Sequence, residues 1–387
     1  MNILIYIPYI SKSIGGVYNY SLNLIKTLLS DKENNYYIYN FNEDKNIKSL
    51  VNNLENFFII NQKKYSESRF DNKILRLKEI IKNNLNLDIK IKSKLDFVCK
   101  KYKIDIVHCP YQYLPNTSKK RIVTMHDVQE LYFPEFFTSE QRAYRAVNYK
   151  KAIDNANKII VSYEHVKKDL VKFFDKNPDD IEVILMDMKN LWFEKFINKK
   201  VEKLDKYKDY ILYPAITWKH KNHKNLIIAL SNVLKKNIDI NLVCTGYKNE
   251  YYYNELEPLI KNLGLEKNVY FEGQVEEEYL YKLYKSAKAV VIPTLYEAGS
   301  FPLVESILLN VPVICSNVTS LPETIQNNEF VFNPYDIEDM TDKIINIISN
   351  NEYIRRNLDN SKRVSKMLSN NNALKKLKEL YSNMSNS

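Results

Sequence analysis

The sequence predicts an α/β protein of two Rossmann-like domains, each a parallel sheet with crossover helices, facing each other across a cleft. Short apolar runs alternate with helical patterns along nearly the whole chain, which is typical of this class. The 387 residues are enough for two domains of about 150–200 residues, each with its own core. Residues 187–208 show no clear strand pattern and are charge-rich from 194, so we place the linker there.

Each domain contains one series of predicted strands. In the first series, strands are expected at 2–8, 36–41, 57–61, 104–109, 121–126, 158–163 and 181–186. In the second, they are expected at 209–216, 241–246, 269–272, 288–293, 311–316 and 330–333. We therefore predict an N-terminal domain over 1–190, a C-terminal domain over 191–365, and a final amphipathic helix with a frayed tail over 366–387.

Composition and cysteine use restrict the class of protein. No run of about 18 apolar residues exists, so no membrane-spanning helix is expected. The start, MNILIYIPYI, lacks a basic region and a cleavage site, and it is typical of a first strand. The spacing of the cysteines suits neither a disulfide framework nor a metal site, so we expect reduced, buried thiols in a cytoplasmic protein; they are Cys99, Cys109, Cys244 and Cys315.

The net charge of +10 is unevenly distributed. Residues 61–104 carry 13 Lys and Arg against 5 Asp and Glu, and apolar and basic residues are interleaved over 73–95. Two interpretations remain open: a solvated pair of amphipathic helices, or a surface for an anionic membrane or a polyanionic substrate. No nucleic-acid recognition motif accompanies the charge, so nucleic acid is not an expected partner.

Residues at the ends of predicted strands mark the expected site, because open parallel sheets bind ligands at the carboxyl ends of their strands. Only six glycines occur, and Gly15 and Gly16 separate the first strand from a helix. They either let the backbone approach an anion at that helix N-terminus or form an ordinary tight turn. His126 and Asp127 end another strand, either as substrate contacts or as a structural histidine with a capping aspartate.

A basic loop, WKHKNHKN (218–225), follows the first strand of the second domain. Lys221 lies between His220 and His223, and the loop is expected either to contact a phosphate or to be a solvated basic turn. Although the histidines are three residues apart, no acidic third ligand lies nearby, so no metal site is expected.

The segment YEAGSFPLVE (296–305) is the most informative part of the chain. Two carboxylates, Glu297 and Glu305, frame a nearly uncharged stretch, and a carboxylate can accept hydrogen bonds from two vicinal sugar hydroxyls. Because burying an unpaired charge is unfavourable, Glu305 is expected to face a solvent-filled ligand cleft or to pair with a distant Lys or Arg.

A helix is predicted to begin within the same segment. Ser300 is a suitable N-cap and Pro302 suits the first turn. The first N–H groups of a helix lack intrahelical acceptors and form an anion site, and here they belong to Gly299, Ser300 and Phe301.

Taken together, these segments resemble the retaining glycosyltransferases of the GT-B fold, in the glycosyl transferases group 1 (family four) set. The resemblance covers most of the chain and is carried by residues 15–17, 124–137, 212–230, 269–323 and 333–336. Its core is the Glu-x7-Glu motif formed by Glu297 and Glu305. The resemblance implies a C-terminal helix that crosses back to the first domain.

The resemblance also implies roles for the second domain's residues. Glu305 would bind the ribose hydroxyls of a nucleotide, and Glu297 would contact the donor sugar. Lys221 would neutralise the diphosphate, while backbone amides of Gly299, Ser300 and Phe301 would hold the sugar and the diphosphate.

In the first domain, Gly16 would allow close approach to the phosphates, and His126 would contact the donor sugar with Asp127 orienting its loop.

The family often has an arginine five residues before the phosphate lysine, where this sequence has Ile216. Its expected substitutes are Lys219, His220 and His223.

The activity implied is transfer of a sugar from a GDP- or UDP-sugar to an acceptor hydroxyl, with retention and without a metal or other cofactor. The acceptor is expected to be a glycan or a lipid-linked glycan of surface polysaccharide or glycoconjugate synthesis, met at the first domain. The enzyme would be cytoplasmic, and it would be peripheral to the inner face of the membrane if residues 61–104 bind anionic lipid. Two alternatives remain open: a catalytically silent sugar-nucleotide-binding protein, and a GT-B epimerase or phosphorylase.

Overall fold

Two parallel β-sheets, one in each half of the chain, form the framework of the computed structural model. The residues that it describes are 1–8, 16–40, 44–61, 93–188, 191–197, 202, 204–370 and 372–386. All thirteen strands predicted from the sequence are present, with ends shifted by a few residues. Gly15 and residues 62–92, most of the predicted basic surface, lie outside the described ranges.

The first sheet has seven strands. They are Asn2–Ile7 (β1), Asn35–Asn40 (β2), Phe57–Asn61 (β3), Ile106–Cys109 (β4), Lys120–Thr124 (β5), Lys158–Val161 (β6) and Ile181–Val183 (β7). The spatial order is β3-β2-β1-β4-β5-β6-β7, with every neighbouring pair parallel. The helices of this half are Gly16–Leu28 (α1), Lys45–Val51 (α2), Lys94–Lys101 (α3), Gln129–Tyr132 (α4), Ser139–Asn155 (α5) and Glu164–Phe174 (α6).

The second sheet has six strands. They are Tyr210–Pro214 (β8), Asn241–Thr245 (β9), Val269–Phe271 (β10), Ala289–Ile292 (β11), Val313–Ser316 (β12) and Val331–Phe332 (β13). The spatial order is β10-β9-β8-β11-β12-β13, again parallel. The helices are His223–Lys235 (α7), Glu257–Asn262 (α8), Glu277–Ser286 (α9), Phe301–Leu308 (α10), Ser320–Ile325 (α11), Ile337–Ser349 (α12), Asn351–Ser369 (α13) and Ala373–Asn386 (α14).

Both sheets have a point at which the direction of strand addition reverses, between β1 and β4 and between β8 and β11. Ligands of open α/β sheets bind in the crevice beyond the carboxyl ends of strands at such a point. In the second sheet, the loops leaving β8 and β11 carry Lys221 and Glu297. Topology alone therefore brings together two residues that are 76 positions apart in the chain.

Tight packing around one glycine shapes the loop after β8. Gly246, just after β9, has φ +111°, and a Cβ atom there would lie 2.7 Å from the backbone carbon of Ala215. Only glycine adopts this conformation readily and leaves room for the neighbouring backbone. The approach of Gly246 to Ala215 fixes the start of the loop that leads to Lys221.

The last helix, α14, crosses back to the first domain, as predicted. Its buried residues belong to the same core as Leu24 and Ile38 of the first domain; they are Ala373, Leu377, Leu380, Tyr381 and Met384. The Tyr381 hydroxyl shares a 2.8 Å hydrogen bond with Nδ1 of His108 in β4, and both side chains are fully buried. A polar contact thus anchors the crossing helix inside an apolar core.

The four cysteines are buried and unpaired, and burial raises the pKa of Cys99 to about 11. Across the described ranges, every helix is too short or too polar to span a lipid bilayer.

We predict that Tyr381→Phe destabilises the protein, because it leaves Nδ1 of buried His108 without its hydrogen-bond partner. Burial lowers the pKa of His108 to about 3, so the ring is neutral at neutral pH. The expected loss is about 1–3 kcal/mol of unfolding free energy, measured by urea titration. Tyr335→Phe, at a side chain that is 62% exposed, is the matched control. Equal stability of both variants would contradict an anchoring role for Tyr381.

Candidate active site

A cavity of about 920 Å³ lies between the carboxyl edges of the two sheets. Residues from both domains line it. Those predicted from the sequence are Gly16, His126 and Asp127 from the first domain and Gly299, Ser300 and Phe301 from the second. The structure therefore brings these six residues to one cleft, whereas Lys221, Glu297 and Glu305 are not among the residues that line it.

The second-domain wall of this cavity is the start of α10. Ser300 caps the helix as predicted, its Oγ accepting a hydrogen bond from the Leu303 N–H at 3.4 Å, and Pro302 lies in the first turn. The N–H groups of the first turn have no intrahelical acceptor, and the helix dipole favours an anion in front of them. The wall is therefore suited to a phosphate or diphosphate.

Lys221 and Glu297 form an ion pair, with Nζ and Oε1 at 2.6 Å. Their side chains are only 20% and 11% exposed. The Glu297 backbone is fixed as well: its N–H donates to Thr319 Oγ1, and its carbonyl accepts from Ser320 Oγ. The predicted cation and the predicted sugar-contacting carboxylate thus neutralise each other next to the cavity wall.

The structure corrects both predictions for the surroundings of Glu305. The carboxylate faces neither solvent nor a Lys or Arg; it is 8% exposed and accepts hydrogen bonds from Trp192 Nε1 and the Tyr284 hydroxyl, each at 2.7 Å. Burial raises the pKa of Glu305, and the two hydrogen bonds oppose that shift. Two neutral donors therefore replace the expected solvent or cation.

The arginine position is filled by Ile216, which is 40% exposed. Two of the three residues expected to replace the arginine's positive charge are neutral. Burial and the nearby Lys221 lower the pKa values of His220 and His223 to about 3. His223 is fully buried, and its ring packs against Tyr213 at 4.7 Å. The third, Lys219, pairs with Glu255 at 2.9 Å on the surface.

In the first domain, Gly16 opens α1, and a Cβ atom there would meet nothing within 4 Å. His126 Nε2 donates to the Pro110 carbonyl at 3.0 Å, and the ring meets Tyr20 edge-on at 4.7 Å. Burial lowers the pKa of His126, against the opposing effect of Asp127, so the ring is held neutral in one orientation.

Asp127 does not cap a helix. Its carboxylate pairs with Arg145 at 3.3 Å, and Arg145 also pairs with buried Glu130 at 2.7 Å. Arg145 lines the cavity from α5, and the sequence analysis missed it. No spacing rule links a strand-end aspartate to an arginine 18 residues later on a helix, so the sequence carried no usable signal.

The two walls are joined by contacts that the sequence analysis also missed. The Glu323 carboxylate of the second domain accepts hydrogen bonds from the backbone N–H groups of Glu164 and His165, each at 2.8 Å. These N–H groups start α6, which has no side-chain N-cap of its own. Nearby, a Cβ atom on Gly299 would lie only 3.1 Å from the ring of Tyr163. Glu323 thus caps a helix of the opposite domain.

Among the described residues, no group of three or more His, Cys, Asp or Glu side chains is placed to hold a metal ion.

Residues 194–365 match the family described as glycosyl transferases group 1. The O-antigen chain mannosyltransferase B of Escherichia coli is 25% identical over 257 residues, 65% of this chain and 67% of that protein. The O-antigen chain mannosyltransferase RfbU of Salmonella typhimurium is 26% identical over 254 residues, 64% of this chain and 68% of that protein.

The fold has close counterparts among solved structures. HepE from Anabaena, solved with UDP and glucose, has a TM-score of 0.66 with 15% identity, over 99% of this chain and all of that one. Such a low identity establishes the fold alone, and the fold is GT-B, as the sequence resemblance implied. Residues 194–365, less than half of the chain, thus match glycosyl transferases group 1, and the chain as a whole has the GT-B fold.

Proposed function

We propose that this protein transfers a hexosyl residue from a UDP- or GDP-sugar to a hydroxyl of a glycan or lipid-linked acceptor, with retention and without a metal ion. One observation carries the proposal: Lys221 and Glu297 meet at 2.6 Å beside the N-terminus of α10, in loops at the switch point of the second sheet. A cation and free N–H groups suit a diphosphate, and a carboxylate suits sugar hydroxyls.

The reaction breaks the bond between C1 of the sugar and the diphosphate oxygen, and the electron pair stays on that oxygen. Lys221 and the first N–H groups of α10 stabilise the charge that develops there. The acceptor oxygen forms the new bond to C1 on the same face, and its proton passes to the departing diphosphate. No protein nucleophile is needed, so Glu297 serves to position the sugar.

Nucleotide binding requires a change around Glu305. In the proposal its carboxylate binds the ribose hydroxyls, yet its oxygens already accept from Trp192 and Tyr284. Tyr284 is fully buried, whereas Trp192 is only partly buried, in the segment between the two sheets. We therefore assign Trp192 as the donor that gives way to, or packs against, the bound ribose.

The relatives' names suggest where the reaction belongs. Two of them are named as O-antigen chain mannosyltransferases, so mannosyl is the first sugar to test. We extend this to synthesis of a surface polysaccharide at the cytoplasmic side of the membrane. Whether the basic stretch 61–104 binds anionic lipid is decided by vesicle flotation, with and without phosphatidylglycerol.

A second interpretation, a sugar-nucleotide-binding protein without turnover, is favoured by the loop after β8. Ile216 replaces the arginine, and the neutral His220 and His223 do not compensate for it. This interpretation predicts that nucleoside diphosphates bind while UDP-, GDP-, ADP- and CDP-sugars all remain intact.

We predict that Glu297→Gln lowers kcat by about 10²–10³-fold, because the sugar loses the carboxylate that positions it. The Kd for UDP or GDP should not rise, since the substitution frees Lys221 from its ion pair with residue 297. Initial rates of nucleotide release and calorimetric titration measure the two effects. Glu255→Gln, which breaks the surface pair with Lys219, is the control. Full turnover by Glu297→Gln would remove Glu297 from the mechanism.

A second prediction concerns Glu305→Gln. The change keeps the volume but replaces one acceptor oxygen by an amide donor, so the ribose and Trp192 lose a shared acceptor. We expect the Kd for the nucleoside diphosphate to rise about tenfold, equivalent to about 1.4 kcal/mol, with a smaller effect on kcat. An unchanged Kd would show that the ribose binds elsewhere.

Trp192 provides a direct optical test. The chain has two tryptophans, Trp192 and Trp218, so their emissions can be separated by single substitutions. Saturating UDP or GDP should change the emission of the wild-type protein and of Trp218→Phe, while Trp192→Phe should lose most of the change. The assignment of Trp192 fails if Trp192→Phe keeps the full response and Trp218→Phe loses it.

A further inference from the structure

Nine tyrosines of the first domain are among the described residues that line the cavity, and four of them lie at the switch point of the first sheet. Tyr6 lies in β1 and Tyr39 in β2, where the two residues are direct register partners. Tyr111 and Tyr113 follow β4, on the other side of β1. Because neighbouring strands lie only about 5 Å apart, side chains on one face near their carboxyl ends come into contact.

The four rings form a continuous row, here called the tyrosine ladder (Tyr39, Tyr6, Tyr113, Tyr111). Successive ring centroids are 5.3, 6.1 and 6.2 Å apart, and the interplanar angles are 16°, 11° and 25°. The turn after β4 is fixed by a hydrogen bond from the Tyr113 N–H to the Tyr111 carbonyl at 2.7 Å. The ladder is therefore built by the sheet itself and by the turn that follows it.

Stacking determines which atoms of the ladder a ligand can contact. Tyr6 and Tyr113 each have a neighbouring ring on both faces, so only ring edges and hydroxyl groups can meet a molecule in the cavity. A phenol hydroxyl donates one hydrogen bond and accepts two, so it can bind a further partner when one position is filled. Tyr6 and Tyr113 are neighbours in the row, so their hydroxyls suit a molecule that carries hydroxyls on adjacent positions.

The charges of the cavity argue against an anionic ligand at this wall. Among the described residues that line it, the charged side chains are Lys94, Asp127 and Arg145. Asp127 and Arg145 pair with each other at 3.3 Å, and Arg145 also pairs with Glu130. Neutral amides of Gln112 and Asn116 line the same side. Phosphate sites gather several cations, whereas the described part of this wall sets hydroxyls and amides around one lysine, Lys94.

We propose that the tyrosine ladder is the acceptor subsite and that it binds the neutral, sugar-terminated end of an oligosaccharide. The inference rests on the proposed transfer activity, because the same cavity is lined by His126 and by the α10 residues assigned to the donor. The hydroxyls of Tyr6 and Tyr113 bind sugar hydroxyls, whereas Tyr111, whose hydroxyl contacts the buried Cys109 thiol, and buried Tyr39 hold the two rings in place by stacking. The ladder thus selects a carbohydrate acceptor over a bare lipid phosphate.

The test compares acceptor and nucleotide affinities in Tyr6→Phe and Tyr113→Phe, which keep the stacked rings and remove one hydroxyl each. With mannotriose as acceptor, we expect each variant to raise the acceptor KM about tenfold, the effect of one hydrogen bond of about 1.4 kcal/mol. The Kd for UDP or GDP should remain the same. Tyr335→Phe on the second domain is the control, and thermal melting verifies that each variant is folded.

Saturation-transfer NMR with mannotriose separates failure of this inference from failure of the proposed function. If the wild-type protein turns over no nucleotide sugar, the proposed function fails. The ladder is still supported in that case if saturation transfer to mannotriose is weaker in both variants than in the wild-type protein. Absence of saturation transfer from the wild-type protein overturns the ladder. An unchanged acceptor KM in both variants also overturns the ladder. The same holds if farnesyl phosphate is as good an acceptor as mannotriose.

Discussion

The hydrogen bonds from Glu164 and His165 of α6 to Glu323 are the contact that the cleft depends on. The helix has no side-chain cap in its own domain, so Glu323 of the other domain satisfies its first N–H groups. Burial raises the pKa of Glu323, but these hydrogen bonds more than offset it, and the carboxylate stays ionised at neutral pH. Because the helix dipole also favours a negative charge there, the contact holds both walls of the cavity in place.

Within that cleft, nearly every charge is already matched. Lys221 pairs with Glu297, and Arg145 pairs with Asp127 and Glu130, while Glu305 is held by neutral donors. A partly buried charge without a partner is strongly unfavourable, so the protein satisfies each group internally. In the proposed reaction, a charged substrate therefore binds by exchanging partners with these groups.

The framework could be predicted from sequence because it follows from local pattern and topology. Thirteen apolar runs predicted thirteen strands, and strand-end loops brought Lys221, Glu297 and Ser300 to one edge of the sheet. The surroundings of Glu305 could not be predicted, since Trp192 lies 113 residues away and meets it only through tertiary packing. The prediction that His220 and His223 replace a cation was wrong for a similar reason. Burial, which sequence spacing does not reveal, keeps both rings neutral. The tyrosine ladder could not be predicted either, since its four members are separated in sequence and are a small part of the thirty tyrosines of the chain.

The proposed transfer of a sugar from a nucleotide to an acceptor hydroxyl yields two products that can both be measured. The most direct measurement incubates the wild-type protein with UDP- and GDP-hexoses and mannotriose in EDTA, and follows both products by mass spectrometry. We expect one of the donors to release one nucleoside diphosphate for each hexosyl unit added to the acceptor. Bound nucleotide with all donors intact, or transfer that EDTA abolishes, would contradict it.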